Sequence, residues 1–117
     1  MAWYPTEINE DKSSLTLLKQ INNDGTEYIP KEIIQKYTSI LIICEKGGYS
    51  ASSEVLISTF LVNQVYYVGG IIGNYGSLFC LQGTPNGNNI SVHNIYAFIM
   101  SQTSNTSNMH TYIYGRD

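Results

Sequence analysis

The chain has 117 residues, a formal net charge of −3 and only 13% charged side chains. A chain of this size buries roughly two-thirds of the surface that its unfolded form exposes, so we expect one domain that folds without metal or disulfide staples. The acidic balance and scattered Lys and Arg residues argue against a nucleic-acid partner. The longest apolar run, residues 40–44, is far shorter than the roughly 20 residues of a membrane-spanning helix, so we also expect no membrane insertion.

Residues 1–12 are polar, contain Pro5 and have no hydrophobic period, which predicts an N-terminal arm or linker before a domain at 13–117. Residues 1–5 lack the basic start and apolar core of a secretory signal, which favours a cytosolic protein or one exported by lysis or assembly. Trp3 and Tyr4 are adjacent aromatics in this arm. We expect them to contact either a neighbouring chain or their own domain.

The domain begins with a predicted hairpin and a helical turn. Alternation at 15–17 predicts a short strand, and the turn residues at 22–25 lead to a second strand at 28–29. Pro30 then begins a segment, 30–36, that is long enough for a single helical turn.

The clearest predicted strand spans residues 39–45. Its alternating residues form two apolar sets, with Ile40, Ile42 and Cys44 on one face and Leu41 and Ile43 on the other. Because both faces are apolar, both are expected to be covered.

The pattern of the remaining residues predicts short strands separated by turns and loops. The predicted strands are 54–61, 65–68 with a bend at Gly69-Gly70 into 71–72, 77–81, the long strand 90–100 and a closing strand from His110. The predicted connections are a flexible loop at 47–53, a turn at 73–76, a loop at 83–89 and a polar segment at 101–108. In the long strand, Ile90, Val92, Tyr96, Phe98 and Met100 share one parity. This spacing predicts an all-β antiparallel sandwich or jelly-roll-like fold.

The predicted strands carry more apolar side chains than one face can hold. Leu41, Ile43, Ile95 and Ile99 fall on second faces, where they would meet another subunit. An equally weighted alternative places the strand at 39–45 in the centre of a sheet, under a long loop.

The residues that could support catalysis or metal binding are sparse. His93 and His110 are the only histidines, and pairing either with Cys44 or Cys80 would require a nucleophile buried in a strand. The same four residues lack the close ligand spacing of a zinc site. We favour free buried thiols over a disulfide and expect no cofactor and no metal.

Glu45 and Glu54 flank one predicted loop and could provide the paired carboxylates of a glycosidase, which stand roughly 5 to 10 Å apart. We favour the alternative interpretation, in which both glutamates are solvated residues at strand ends. The sequence therefore predicts a protein that is not an enzyme.

The remaining candidate function is the recognition of a ligand by side chains in loops. The candidate ligand-binding residues are Tyr49, Tyr75, Asn86, Asn88 and Asn89, all in predicted loops. An aromatic ring beside amides can stack on a sugar face while the amides bond its hydroxyl groups. Packing of each residue against neighbouring loops is the alternative.

Four segments in order carry a resemblance to a known family. They are Leu15-Thr16-Leu17-Leu18, the tyrosine-led stretch at 36–43, Glu54-Val55-Leu56-Ile57 and the closing Tyr112-Ile113-Tyr114-Gly115. Together they resemble the C-terminal β-domains of bacteriophage tail-fibre and head-fibre proteins, which commonly finish in Ile-Tyr-Gly. Arg116-Asp117 departs from the usual aliphatic-lysine finish.

The resemblance implies a homotrimer in the virion, assembled in the host cytoplasm, that attaches to host cell-surface glycans without enzymatic activity. The N-terminal arm would then contact other fibre or capsid proteins. Two alternatives stay open: a purely structural trimerising cap or capsid-decoration module, and a monomeric bacterial carbohydrate-binding module.

Overall fold

The structure is a computed structural model that describes residues 15–117. The predicted arm at 1–12, with the contacts expected of Trp3 and Tyr4, lies outside the described residues. Within the described range the strands are β1 (Leu15–Asn22), β2 (Thr26–Pro30), β3 (Ser39–Lys46), β4 (Tyr49–Leu56), β5 (Gln64–Ile72), β6 (Tyr75–Asn86), β7 (Asn89–Ile99), β8 (Gln102–Ser104) and β9 (His110–Arg116), and the helical turns are α1 (Lys31–Ile34) and α2 (Ile57–Phe60).

The strands form two antiparallel sheets that pack face to face. Sheet A has the order β1-β9-β3-β4, and sheet B has the order β2-β7-β6-β5 with β8 added on β7. β1 pairs with β9 and β2 pairs with β7, so strands far apart in sequence lie side by side in both sheets. The predicted all-β antiparallel sandwich is confirmed.

The core lies between the sheets and is built from alternating strand residues. Ile40, Ile42 and Cys44 of β3 are fully buried and belong to the same core cluster as the buried Phe79 and Leu81 of β6. Burial of each large aliphatic or aromatic side chain contributes about 1.5 to 3 kcal/mol. The alternation predicted for the strand at 39–45 is confirmed, because Leu41 and Ile43 lie half-buried on the outer side. The covering expected for that outer face remains a prediction.

The predicted helical turn after Pro30 is also confirmed. Pro30 is the N-cap of α1 with φ −60°, and the N–H group of Lys31 donates to the carbonyl of Asn88 at 2.8 Å. Ile34 is fully buried and fastens the turn to the sandwich.

The predicted loop at 47–53 and strand at 54–61 are wrong. Only Gly47 and Gly48 form the turn, and β4 starts at Tyr49, which pairs with Lys46. The serine-rich stretch is extended because its backbone completes the ladder with β3. After Leu56 the chain turns helical instead, which places Phe60 in the core.

The predicted loop at 83–89 is a tight hairpin. β6 continues to Asn86, which pairs with Asn89, so only Gly87 and Asn88 form the turn. Gly87 has the positive φ, +61°, that the Asn-Gly sequence predicts.

A β-bulge in β7 overturns the predicted single parity of residues 90–100. Leu81 of β6 pairs with Asn94, whereas Cys80 pairs with Tyr96, so Ile95 has no partner in β6. The extra residue shifts the side chains that follow to the other face. Ala97 is therefore buried in the core.

The sandwich has two ends that differ in what they hold. The described chain starts and finishes at one end, where Leu15 pairs with Arg116, and this proximal end also carries α1, α2 and the turn between β6 and β7. The distal end carries the turns β1–β2, β3–β4 and β5–β6 and the segment 105–109.

Candidate functional site

The distal end carries two adjoining depressions that share Lys46, Gly47 and Tyr49. The larger, about 490 Å³, is completed by Glu45, Gly48, Ser50, Asn108 and His110. The smaller, about 270 Å³, is completed by Ile99, Gln102, Thr103 and Ser104. Tyr49 therefore borders both depressions.

The position of Tyr49 follows from the two-residue turn before it. Gly47 and Gly48 have φ values of +57° and +85°, a region that other residues rarely adopt, and a Cβ on either would meet nothing within 4 Å. Tyr49, which follows this turn, keeps 40% of its surface exposed. The residue is therefore accessible from solvent.

Hydrogen bonds connect the segments that border the site. The Nζ of Lys46 donates to the backbone carbonyl of Asn105 at 2.6 Å and to its Oδ1 at 3.2 Å. That Oδ1 also accepts from the N–H of Ser107 at 2.9 Å. These bonds tie the segment 105–109 to the β3–β4 turn.

His110 and Glu45 bring further donors and acceptors to the larger depression. His110 Nδ1 lies 2.7 Å from Asn22 Oδ1, and the hydroxyl of Tyr112 donates to Glu45 Oε1 at 3.4 Å. The site is therefore a shallow surface of mixed polar and apolar character with one exposed tyrosine.

A network of hydrogen bonds around the buried Asn94 and Thr111, the buried polar network, lies beneath the distal end. Thr111 Oγ1 donates to Asn94 Oδ1 at 2.5 Å, and Asn94 Nδ2 donates to the carbonyls of Asn23 at 3.0 Å and Met109 at 3.4 Å. Cys44 Sγ lies 3.5 Å from the same threonine oxygen. Asn94 was not among the residues expected to be functional; the only signal for it in the sequence is a lone amide within an apolar strand.

The five residues expected to bind ligand do not form one site. Tyr49 and Tyr75 lie at the distal end, the latter 71% exposed beside the β5–β6 turn. Asn86, Asn88 and Asn89 lie at the proximal end, where Asn88 lines a separate depression with residues of α1. Asn88 alone lies in a turn, since the other four occupy strand ends. The distal residues Lys46, Asn108 and His110 were not among the expected ligand-binding residues.

The residues expected at a subunit interface fall on different surfaces. Leu41 and Ile43 lie on the outer face of sheet A, and Ile95 is 37% exposed at the β7 bulge. Ile99 instead packs against the core, so its placement on an outer face is wrong. The interface role of the other three remains a prediction.

The cysteines have the environment that the sequence indicates. Cys44 and Cys80 are free and buried, and burial raises the pKa of the Cys44 thiol to about 11 and also raises the pKa of Cys80. Among residues 15–117, no three His, Cys, Asp or Glu side chains gather where they could hold a metal ion. Both thiols are protonated at neutral pH, which disfavours nucleophilic chemistry.

Glu45 and Glu54 do not share a cleft. Glu54 pairs with Leu41, four residues before Glu45 on β3, which separates the two glutamates by about 13 Å along the strand. Glu54 accepts from Arg116 Nε at 2.6 Å, and hydrogen bonds from Arg116 and then Ser39 hold the pKa of Glu54 below its ordinary value. The paired-carboxylate hypothesis is wrong for these two residues.

Comparison with protein-family models, with curated proteins and with solved structures finds no match to this chain. In the part of the chain that the structure describes, no helix has the length and apolar character to cross a membrane. The fold and the distal site are therefore the basis for inferring function.

Proposed function

We propose that this protein is a non-enzymatic attachment module of a bacteriophage virion, part of a tail fibre, head fibre or head decoration, that binds host cell-surface glycans at its distal end. One observation carries the proposal. The described chain enters and leaves the domain at the proximal end, whereas the depressions beside Tyr49 lie at the opposite end. A module anchored at its proximal end presents this site outward.

The four segments behind the fibre resemblance support the proposal because they occupy β1, β3, β4 and β9 with their flanking residues. These strands are the whole of sheet A. Gly115 of the closing motif also contacts the tyrosine-led segment, since a Cβ at Gly115 would lie 2.5 Å from Cγ of Tyr37. The matched segments thus form one packed unit.

The site chemistry suits an uncharged or weakly charged sugar. The exposed ring of Tyr49 offers a face for the apolar side of a pyranose, and Glu45, Asn108 and His110 line the same depression with hydrogen-bonding groups. So shallow a surface implies weak binding by one copy. Several copies on one particle would multiply that affinity through avidity.

The test is saturable binding of the full chain to host cells, competed by purified host surface polysaccharide. We expect Tyr49→Ala to weaken single-site affinity roughly tenfold, in line with the loss of one aromatic contact. Tyr28→Ala is the matched control, because Tyr28 is 48% exposed on β2 of the other sheet. No saturable attachment, or equal loss in both variants, would contradict the proposal.

A purely structural module is the second candidate, and the apolar outer face of sheet A favours it. Such a module would form a stable oligomer and bind neither host cells nor polysaccharide. The third class, a monomeric bacterial carbohydrate-binding module, would bind polysaccharide as a single copy. Light scattering together with the attachment assay separates the three classes.

A further inference from the structure

Glu45 and His110 are neighbours in the lining of the larger distal depression. They are cross-strand partners on β3 and β9, and both border the depression. Directly opposite residues of an antiparallel pair share one face, with Cβ atoms about 5 Å apart. Glu45 is exposed and His110 is half-buried. The two side chains therefore stand side by side on one side of the depression.

The hydrogen bonds of Asn22 determine which ring nitrogen of His110 carries the proton. Asn22 Oδ1 accepts from Gln20 Nε2 at 2.9 Å and lies 2.7 Å from His110 Nδ1. Because this carbonyl oxygen has no proton, Nδ1 of His110 donates the bond. In the neutral ring Nε2 is then unprotonated, so it is an acceptor for a ligand hydroxyl group.

Glu45 provides a second acceptor beside that nitrogen. Its Oε1 accepts from the hydroxyl of Tyr112 at 3.4 Å, and within residues 15–117 no other group donates to the carboxylate. Oε2 of Glu45 is therefore open to a donor from a ligand.

The nearest strong donor is engaged elsewhere. Lys46 gives two of its three N–H groups to Asn105, and as the residue after Glu45 on β3 it points to the opposite side of sheet A. The hydroxyl of Ser50, which is paired with Glu45 on β4, serves as donor or acceptor. A ligand beside Glu45 and His110 therefore meets two acceptors, one of which is an anion.

We propose that Glu45 and His110 make the distal site selective for uncharged, hydroxyl-bearing sugars over acidic sugars, which rests on the proposed function and names the class of glycan bound. Two adjacent hydroxyl groups of a pyranose donate to Oε2 of Glu45 and Nε2 of His110. The carboxylate of a uronic acid has no proton to donate at neutral pH, and in the same position it is repelled by the charge of Glu45.

The test compares two probes, purified host surface polysaccharide and the same polysaccharide after TEMPO oxidation, which converts its primary hydroxyl groups into carboxylates. Isothermal titration with the full chain gives both dissociation constants. We expect the wild type to bind the oxidised form about tenfold more weakly. In Glu45→Gln, which keeps an acceptor oxygen and removes the charge, the ratio of the two constants should fall to about twofold or less.

Glu54→Gln is the matched control for Glu45→Gln. It removes the same charge from the outer face of sheet A at a position outside both depressions. The ratio of the two dissociation constants should therefore stay at the wild-type value, and thermal melts of both variants check that the fold is intact.

His110→Phe tests the second acceptor while keeping a ring in place. The loss of one hydrogen bond should weaken binding of the untreated polysaccharide about fivefold. His93→Phe is its control, because His93 is a half-buried histidine on β7 of the other sheet. Its affinity should equal that of the wild type.

Three results would overturn this inference and leave the proposed glycan site standing. They are equal binding of both polysaccharides by the wild type, a wild-type ratio in Glu45→Gln, and full affinity in His110→Phe. Absence of saturable binding of either polysaccharide by the wild type would instead contradict the proposed function, and the selectivity with it.

Discussion

Gly115 is buried in β9 under the ring of Tyr37. A Cβ at this position would come within 2.5 to 2.7 Å of three ring carbons. Because the ring would have to move out of a packed site, we expect Gly115→Ala to lower the free energy of unfolding by about 1 to 3 kcal/mol. Urea denaturation measures this change.

Gly70→Ala is the matched control for that prediction. A Cβ at Gly70 on β5 would meet nothing within 4 Å, so we expect a change within about 0.5 kcal/mol. Equal stability of the two variants would show that contact between Tyr37 and Gly115 does not constrain the closing strand.

The ion pair of Glu54 should make a small, pH-dependent contribution to stability. The pKa of Glu54 is lower in the folded protein than its ordinary value of 4.5, so the stabilisation is present above pH 4.5 and is lost as the pH falls through the folded-state pKa. We expect Glu54→Gln to cost about 0.2 to 1 kcal/mol at pH 7, because the pair is partly exposed. Denaturation of both proteins across pH 7 to 2 should show the difference closing in acid.

Glu32→Gln on α1 provides the comparison for general acid effects. A difference between wild type and Glu54→Gln that stays constant from pH 7 to 2 would contradict a role for the carboxylate charge.

At the scale of elements, Asn94 ties β7 of sheet B to the chain around β1 and β9 of sheet A. Its Nδ2 donates to the carbonyls of Asn23 and Met109, and its Oδ1 accepts from Thr111. Asn94→Leu would remove all of these hydrogen bonds; the Met109 carbonyl still accepts from the N–H of Asn23, but the buried Thr111 hydroxyl would keep only its 3.5 Å contact with Cys44 Sγ, so we expect a cost of about 1 to 3 kcal/mol. Urea denaturation and amide hydrogen exchange at 21–25 and 105–111 measure the effect.

The control is Asn86→Leu, which changes an exposed amide at the proximal end. Both the stability and the exchange rates at the distal end should stay close to wild type. If the stability and exchange rates of Asn94→Leu also stay close to wild type, the buried polar network does not stabilise the distal loops.

Strands with alternating apolar and polar side chains could be predicted from the sequence. Strands that are extended only because their backbone pairs with a neighbouring strand could not. β3 and β9 were predictable because their apolar residues alternate against a core. The serine-rich start of β4 carries no such signal, since its backbone bonds to β3 determine its extended form. The bulge at Ile95 could not be predicted either, because an extra residue in one strand is defined only by the register of that strand with its neighbouring strand.

The candidate site was predictable only in part for the same reason. Tyr49 was singled out as an exposed aromatic, and it does border the distal depressions. Lys46, Asn108 and His110 reach the same place from strand and loop positions up to 64 residues apart in the chain. Their meeting follows from the antiparallel pairing of β3 with β9, which local sequence patterns do not reveal.

Across the whole molecule, the two ends of the sandwich differ in what they carry, and the proposed function assigns anchoring to one end and recognition to the other. The proximal end holds both ends of the described chain, and the exposed Leu15 and Leu17 of β1 lie on that side. The distal end holds the turns and the depressions beside Tyr49.

The most direct measurement is amide hydrogen exchange of the full chain with and without purified host surface polysaccharide. We expect new protection at residues 45–50 and 105–110 and unchanged exchange at 86–89, the asparagine-rich turn at the proximal end. Protection confined to 86–89, or no protection at a saturating polysaccharide concentration, would contradict a glycan site at the distal end.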